Sequence, residues 1–191
     1  SDNGAVVDDG YKDRAVELLG NHKPTGVYRG GKYSIFEGGT RVPCLLRWTG
    51  KVKPGVSDFL VSQIDFFASF ADLCGVDIPD GAAPDSENHL KSLLNKNRSG
   101  RKYLVEQNIQ NNLSITCGDW KYIPKAKGPA KNWQTNTELG NNPKTGQLYN
   151  MKDDPFEKNN LYDSNQERAG ELHRELLKIV ESGVHYRTLE K

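Results

Sequence analysis

Residues 112–124 read NLSITCGDWKYIP. Two short runs rich in β-branched and aromatic residues flank a Gly-Asp pair, the pattern of antiparallel strands joined by a tight turn. Just upstream, YLVEQ (103–107) has the same character, and downstream QLYNM (147–151) supplies a further strand before the Asp-Pro turn of DDPFEKNNL. Between them, residues 125–146 are polar and rich in Lys, Asn, Gly and Pro, a long loop of the kind that is either functional or disordered. Ser164 and Glu167 have the spacing of a capping box. They open a helix to about residue 182, with Ala169, Leu172, Leu176, Ile179 and Val180 inward and Gly183 as its stop. The second half is thus expected to be a small antiparallel sheet with one long helix over a face.

The first half reads differently. Residues 8–19 (DDGYKDRAVELL) suggest a short helix with Tyr11, Ala15, Leu18 and Leu19 on one face. Residues 20–40 are glycine-rich, so tight turns and close backbone approach matter more there than packing. VPCLLRW (42–48) reads as a buried strand, and 49–58 as a turn-rich link. Residues 62–74 form a helix opened by Ser62 and Asp65, with a stripe of Ile64, Phe67, Ala71 and Cys74 and Gly75 at its end. Residues 76–87 read as a loop and 88–94 as one or two helical turns. One strand cannot make a sheet, so this half reads as a piece of a larger α/β layer, and the chain as α/β (α+β within these residues).

Composition excludes several classes. The 191 residues carry 26 basic and 25 acidic side chains, which gives no reason to expect a nucleic-acid groove. No apolar run approaches the roughly 18 residues of a membrane span, and no signal peptide is read. Cys44, Cys74 and Cys117 are odd in number and widely spaced, unlike a disulfide framework or zinc site. Beside apolar neighbours, they are expected to be small buried hydrophobes.

Few residues carry chemistry. Asp2 and Asn3 offer hard oxygens suited to Ca²⁺ or Mg²⁺, and Gly4 lets the chain turn after them. Alone, Asp-Asn-Gly reads first as an ordinary turn, and two ligands do not complete a calcium site. Lys32 lies between two glycine pairs in RGGKYSIFEGGTRVP (29–43), either a solvated turn lysine or a point charge for an anionic oxygen. His22, in NHKP, reads first as an ordinary loop histidine and, by its position before that segment, as a substrate-binding candidate for a substrate hydroxyl. Asp8 and Asp9 are candidates for extra ligands but read first as ordinary helix-start acids. Lys125, Lys127, Lys131 and Trp133 mark the long loop as a solvated loop or a contact for an anionic glycan. Asn97-Arg98-Ser99 and Asn112-Leu113-Ser114 match the glycosylation triplet, which matters only in a eukaryotic secretory setting.

Taken together, Asp2-Asn3-Gly4, Arg29-Gly30-Gly31-Lys32, Glu37-Gly38-Gly39-Thr40-Arg41-Val42-Pro43 and Trp48-Thr49-Gly50 resemble, in order and spacing, the downstream half of a type I sulfatase. GDWKYI (118–123), LYNM-x-DDP-x-E-x-NNL (148–161) and the closing helix extend the resemblance over essentially the whole chain. It implies the C-terminal portion of an alkaline-phosphatase-like α/β sandwich, with residues 1–98 in the large catalytic domain and 99–191 as a small subdomain. It implies Asp2 and Asn3 as ligands of a divalent cation, usually Ca²⁺, and Lys32 as the catalytic lysine on the sulfate. Glu37 and Arg41 would fix the loop behind Lys32. The family's nucleophile is a formylglycine made within C/S-x-P-x-R, a motif absent from these residues, so catalysis would need an upstream part of the protein. The RGGKYS and HKPxG stretches resemble bacterial sulfatases of sulfated glycans, so carbohydrate sulfate esters are expected over aryl sulfates. A periplasmic or secreted location, no nucleic-acid partner and possible oligomerisation through uncovered surface go with this reading. The alternatives are a non-catalytic glycan-binding or interaction module and a phosphatase of the same superfamily.

Overall fold

The computed structural model describes residues 1–6, 8–95 and 99–182, so Gly183 and the Asn97-Arg98 pair of the first glycosylation triplet lie outside the described residues. The chain divides into two compact units, Ser1–Pro43 with Val105–Leu176, and Cys44–Leu104 with Leu177–Lys191.

In the first unit a four-stranded sheet runs in the order β1 (Leu104–Gln107), β2 (Leu113–Cys117), β3 (Trp120–Ile123), β4 (Gln147–Asn150). The register Ile115↔Tyr122 and Cys117↔Trp120 leaves Gly118-Asp119 as a two-residue turn. Gly118 takes φ 56°, which a β-carbon disfavours and which strand-joining turns require. Residues two apart share a face. Ile115, Tyr122 and Leu148 therefore face one way, toward the long helix labelled α5 (Gln166–Ser182), whose Ala169, Leu172 and Leu176 are buried. The Tyr122 ring meets His173 of that helix edge-on at 5.8 Å. Lys121, Ile123 and Tyr149 face the other way, where Ile123 and Tyr149 join Ile35 and Phe36 in a buried cluster. Both faces are covered, which is why β3 and β4 lack a solvated alternate row.

The capping box expected at Ser164 is not formed. The Ser164 hydroxyl donates to the Leu161 carbonyl at 3.1 Å, and Asn165 instead supplies the carbonyl that accepts from Ala169 N. Ile179 and Val180 are half-buried rather than inward. The helix expected over residues 8–19 shrinks to α1 (Ala15–Leu18), with Arg14 in a left-handed conformation before it and Tyr11 and Leu18 exposed. Four residues cannot repay helix nucleation without a surface to pack on. Between α1 and the sheet, α2 (Glu37–Thr40) is one turn whose first amide donates to Glu157 Oε2 at 2.7 Å.

In the second unit, α3 (Asp65–Cys74) ends at Gly75, where Val76 N bonds back to Ala71 O at 2.9 Å. The short α4 (Leu90–Leu93) follows. The buried side of α3 is Asp65, Ala68 and Ser69, not the expected stripe, since Ile64 and Phe67 are exposed. Asp65 explains the inversion. Its carboxylate receives a two-pronged ion pair from fully buried Arg101, with Nε at 2.8 Å, and the backbone amides of Ser62 and Glu87. Burial alone would raise the Asp65 carboxyl, but Arg101 and those amides hold it below the usual range. Residues 42–48 are not a strand, and Leu45 is 92% exposed. A strand exists only by pairing its amides and carbonyls with a neighbour, and no described residue pairs with this segment. The cysteine expectation is corrected too: Cys44 and Cys74 are exposed and Cys117 half-buried. Phe66, Phe67, Phe70, Ala71, Cys74 and Val76 form one open apolar surface of this unit.

Candidate functional site

The Asp-Asn-Gly end is built onto the Lys32 segment by backbone hydrogen bonds. Gly4 N donates to Gly39 O at 2.9 Å, and Lys32 N donates to Ala5 O at 2.9 Å. Gly38 N closes the segment on itself by donating to Arg29 O at 2.7 Å. These approaches demand glycine: a β-carbon on Gly4 would lie 1.9 Å from Gly38 O, and one on Gly38 would lie 2.5 Å from Arg29 O. The glycine pairs flanking Lys32 thus let three backbone stretches interlock, in place of side-chain packing.

Asp2 is exposed at this end and Asn3 is half-buried, with the Ser1 hydroxyl donating to the Asn3 carbonyl at 2.7 Å. Their oxygens match a hard cation in kind but fall short in number, and among the described residues no group of three or more His, Cys, Asp or Glu gathers to complete a site. Lys32 is half-buried, with Nζ 5.2 Å from the centre of the Tyr33 ring. Among the described residues it forms no ion pair with a carboxylate, so its charge is available to an anion. Tyr33 has φ 82°, a costly conformation for an aromatic residue that holds a sharp turn beside the lysine. His22 is exposed, and its backbone amide bonds only locally, to Leu19 O. No hydrogen bond or ion pair among the described residues joins its imidazole to the Lys32 segment.

Behind the segment lies a buried charge network for which sequence reasoning assigned no roles beyond Glu37 and Arg41. Lys121, fully buried on β3, places Nζ 2.9 Å from Glu37 Oε1, 3.0 Å from Glu157 Oε1 and 3.9 Å from Glu106 Oε2. Glu37 also accepts from Arg41 Nε at 2.6 Å. Burial would raise the Glu37 carboxyl, but Lys121 and Arg41 hold it below its ordinary value. Burial pushes Glu157 and Glu106 up, despite the opposing pull of Lys121. Burial would lower Lys121, and the three carboxylates around it more than reverse that. Lys121 lies in GDWKYI and Glu157 in DDPFEKNNL, so the charged residue inside each apolar or turn motif was the available signal.

A second anchor runs through Arg29. Its guanidinium bonds Glu138 through Nε at 2.7 Å and Nη2 at 3.2 Å, and Nη1 reaches Glu157 O at 2.9 Å. Its charge also sits 4.0 Å above the Phe36 ring. The loop carrying Glu138 is thereby tied to the same segment as Lys32.

The sulfatase family profile matches residues 1–76, the stretch that contains this interlocked segment. An N-acetylgalactosamine-6-O-sulfatase of Bacteroides thetaiotaomicron is 50% identical over 182 residues, covering 95% of this chain and 35% of that protein. The chain belongs to the type I sulfatase family. A solved 6S-sulfatase structure from a glycosaminoglycan-metabolism locus of Bacteroides thetaiotaomicron superposes with a TM-score of 0.89 at 50% identity, over 95% of this chain and 38% of that one. Bovine arylsulfatase A is 30% identical, over 77% of this chain and 31% of its own length. A Pseudoalteromonas sulfatase at 20% identity shares the fold, with a TM-score of 0.67, over 84% of this chain and 33% of its own. The sulfatase chain therefore spans about a third of the length of these relatives. Its sheet and closing helix correspond to a fragment of the sulfatase α/β sandwich.

Proposed function

We propose that this chain is part of a hydrolase of sulfate esters on glycans, and that Lys32 holds the sulfate group. The observation that carries this is the Asp-Asn-Gly end hydrogen-bonded directly onto the Lys32 segment, with Lys32 free of carboxylate partners among the described residues. A sulfate ester is already anionic, so a nucleophile must approach negative charge. An ammonium fixed beside the sulfate oxygens lowers that barrier. Asp2 and Asn3 are the residues that would hold a divalent cation, with the remaining ligands from outside the described residues. When bound, Ca²⁺ would add further neutralisation of the sulfate oxygens. His22 is assigned to a substrate hydroxyl in the same reading.

The preference for a sulfated carbohydrate over an aryl sulfate is supported by the 50% identity to an N-acetylgalactosamine-6-O-sulfatase. The division into residues 1–98 of a large domain and 99–191 of a small one belongs to the same proposal. So do a periplasmic or secreted location and cover for the exposed apolar surface of the second unit by an upstream part of the protein or by a second copy. No helix among the described residues is long and apolar enough to cross a membrane. Since C/S-x-P-x-R is absent from these residues, the chain by itself is expected to show no turnover.

Calorimetric titration with N-acetylgalactosamine 6-sulfate tests the lysine. Lys32→Ala should weaken binding about tenfold or more, the worth of a charge-assisted hydrogen bond. Equal affinity in the two proteins would remove Lys32 from the site. Multiple turnovers of a chromogenic aryl sulfate by this chain with calcium would refute the requirement for a formylglycine.

A further inference from the structure

Trp133 is 87% exposed, which for an indole leaves a large apolar face in water. Single exposed aromatics are common, so exposure alone says little. What distinguishes this one is the frame that holds it. Asn132 is buried and closes a turn around it: its Oδ1 accepts from the amides of Gln134 at 2.9 Å and Thr135 at 3.1 Å. Its own amide donates to Thr137 O at 2.8 Å, and Asn136 N returns to Asn132 O at 2.9 Å. Beyond the turn, Leu139 N pairs with Ala130 O, Glu138 takes the two-pronged bond from Arg29, and Ile35 N donates to Leu139 O. Thr137 lies against the segment itself, its methyl 3.6 Å from where a β-carbon on Gly31 would be. The turn that displays Trp133 is therefore fastened through its C-terminal flank to the residues that carry Lys32, and its other flank is paired to that one.

We propose that Trp133 forms an aromatic subsite for the same glycan, stacking on the apolar face of a pyranose ring in the chain whose sulfate sits at Lys32. This rests on the sulfate-ester reading of Lys32. A pyranose has one face made mainly of C–H groups, which suits a flat indole. Tryptophan offers this area at little conformational cost, and a pre-closed turn lowers the cost further. Lys131, two residues earlier, adds positive charge suited to a polyanionic chain. The subsite reads the sugar and Lys32 reads the sulfate, so the two contributions separate experimentally.

The test is calorimetric titration of the full chain with three probes. They are a tetrasaccharide containing 6-O-sulfated N-acetylgalactosamine, its desulfated counterpart, and inorganic sulfate. Trp133→Ala should weaken both tetrasaccharides about fivefold to tenfold, leave inorganic sulfate unchanged, and leave the thermal melt unchanged because the ring is exposed. Trp133→Phe should keep most of the affinity. Lys32→Ala should instead remove the preference for the sulfated tetrasaccharide. Unaltered tetrasaccharide binding by Trp133→Ala overturns the subsite alone, and so does Lys32-dependent binding of sulfate with no contribution from sugar. A wild-type chain that binds neither tetrasaccharide overturns the subsite together with the glycan reading.

Discussion

Replacing Lys121 with Met keeps the volume of the side chain and removes its charge. Glu157 then sits fully buried, with only the Glu37 amide left to compensate it, while Glu37 retains half-exposed Arg41. Stripping one partner from a buried ion pair costs about 3–5 kcal/mol. An independent bound comes from protonation. The variant can escape by putting a proton on Glu157, and at pH 7 a carboxyl of ordinary pKa near 4.3 costs about 3.7 kcal/mol to neutralise. At pH 5 the same step costs about 1 kcal/mol. The sign follows from linkage. A carboxyl whose folded pKa is raised binds a proton in the folded chain before the unfolded one does, so stability falls as pH rises from the unfolded pKa through the folded one. Burial already raises Glu157, and losing Lys121 raises it further. Urea unfolding followed by far-ultraviolet circular dichroism should show Lys121→Met destabilised by about 3–4 kcal/mol at pH 7, with the deficit shrinking to about 1–2 kcal/mol at pH 5. Adding Glu157→Gln should recover much of the loss at pH 7 and flatten its pH dependence. A deficit below about 1 kcal/mol at pH 7, or one equal at both pH values, would refute the claim that this lysine neutralises buried carboxylates.

Three other outcomes are expected. Gly4→Ala puts a methyl 1.9 Å from Gly38 O, so it should cost about 1–3 kcal/mol and speed hydrogen exchange at the Lys32 amide; unchanged exchange would show that the two segments are not locked together. Arg101→Met leaves Asp65 buried beside two amides, and the second unit should become sensitive to limited proteolysis, with a loss of about 3–5 kcal/mol. Thiol titration with an aromatic disulfide should find Cys44 and Cys74 fast and Cys117 slower; a slow Cys44 would mean that residues 42–48 are covered.

Much of the candidate site was legible because its signal is local. Glycine pairs at fixed spacing, a lysine between them and an Asp-Asn-Gly in the same order are a pattern along the chain. The structure adds how they meet, through Gly4 N to Gly39 O and Lys32 N to Ala5 O. Lys121 carries no local signal of burial, because a lysine within a strand is ordinarily solvated. Only the arrival of Glu37, Glu106 and Glu157 from three distant stretches makes its burial tolerable.

The same division runs through the fold. The β2–β3 hairpin, the Gly75 helix stop and the buried Ala169, Leu172 and Leu176 face of α5 were set by the sequence itself, because turn conformation, helix termination and periodicity are decided within a few residues. Tertiary structure alone decided which face of α3 is buried, that residues 42–48 stay unpaired, that the cysteines lie near the surface, and that the helix over 8–19 is a single turn. Each of those depends on what another part of the chain brings to the segment. Burial and strand pairing are properties of two partners, and one stretch of sequence states only its own half.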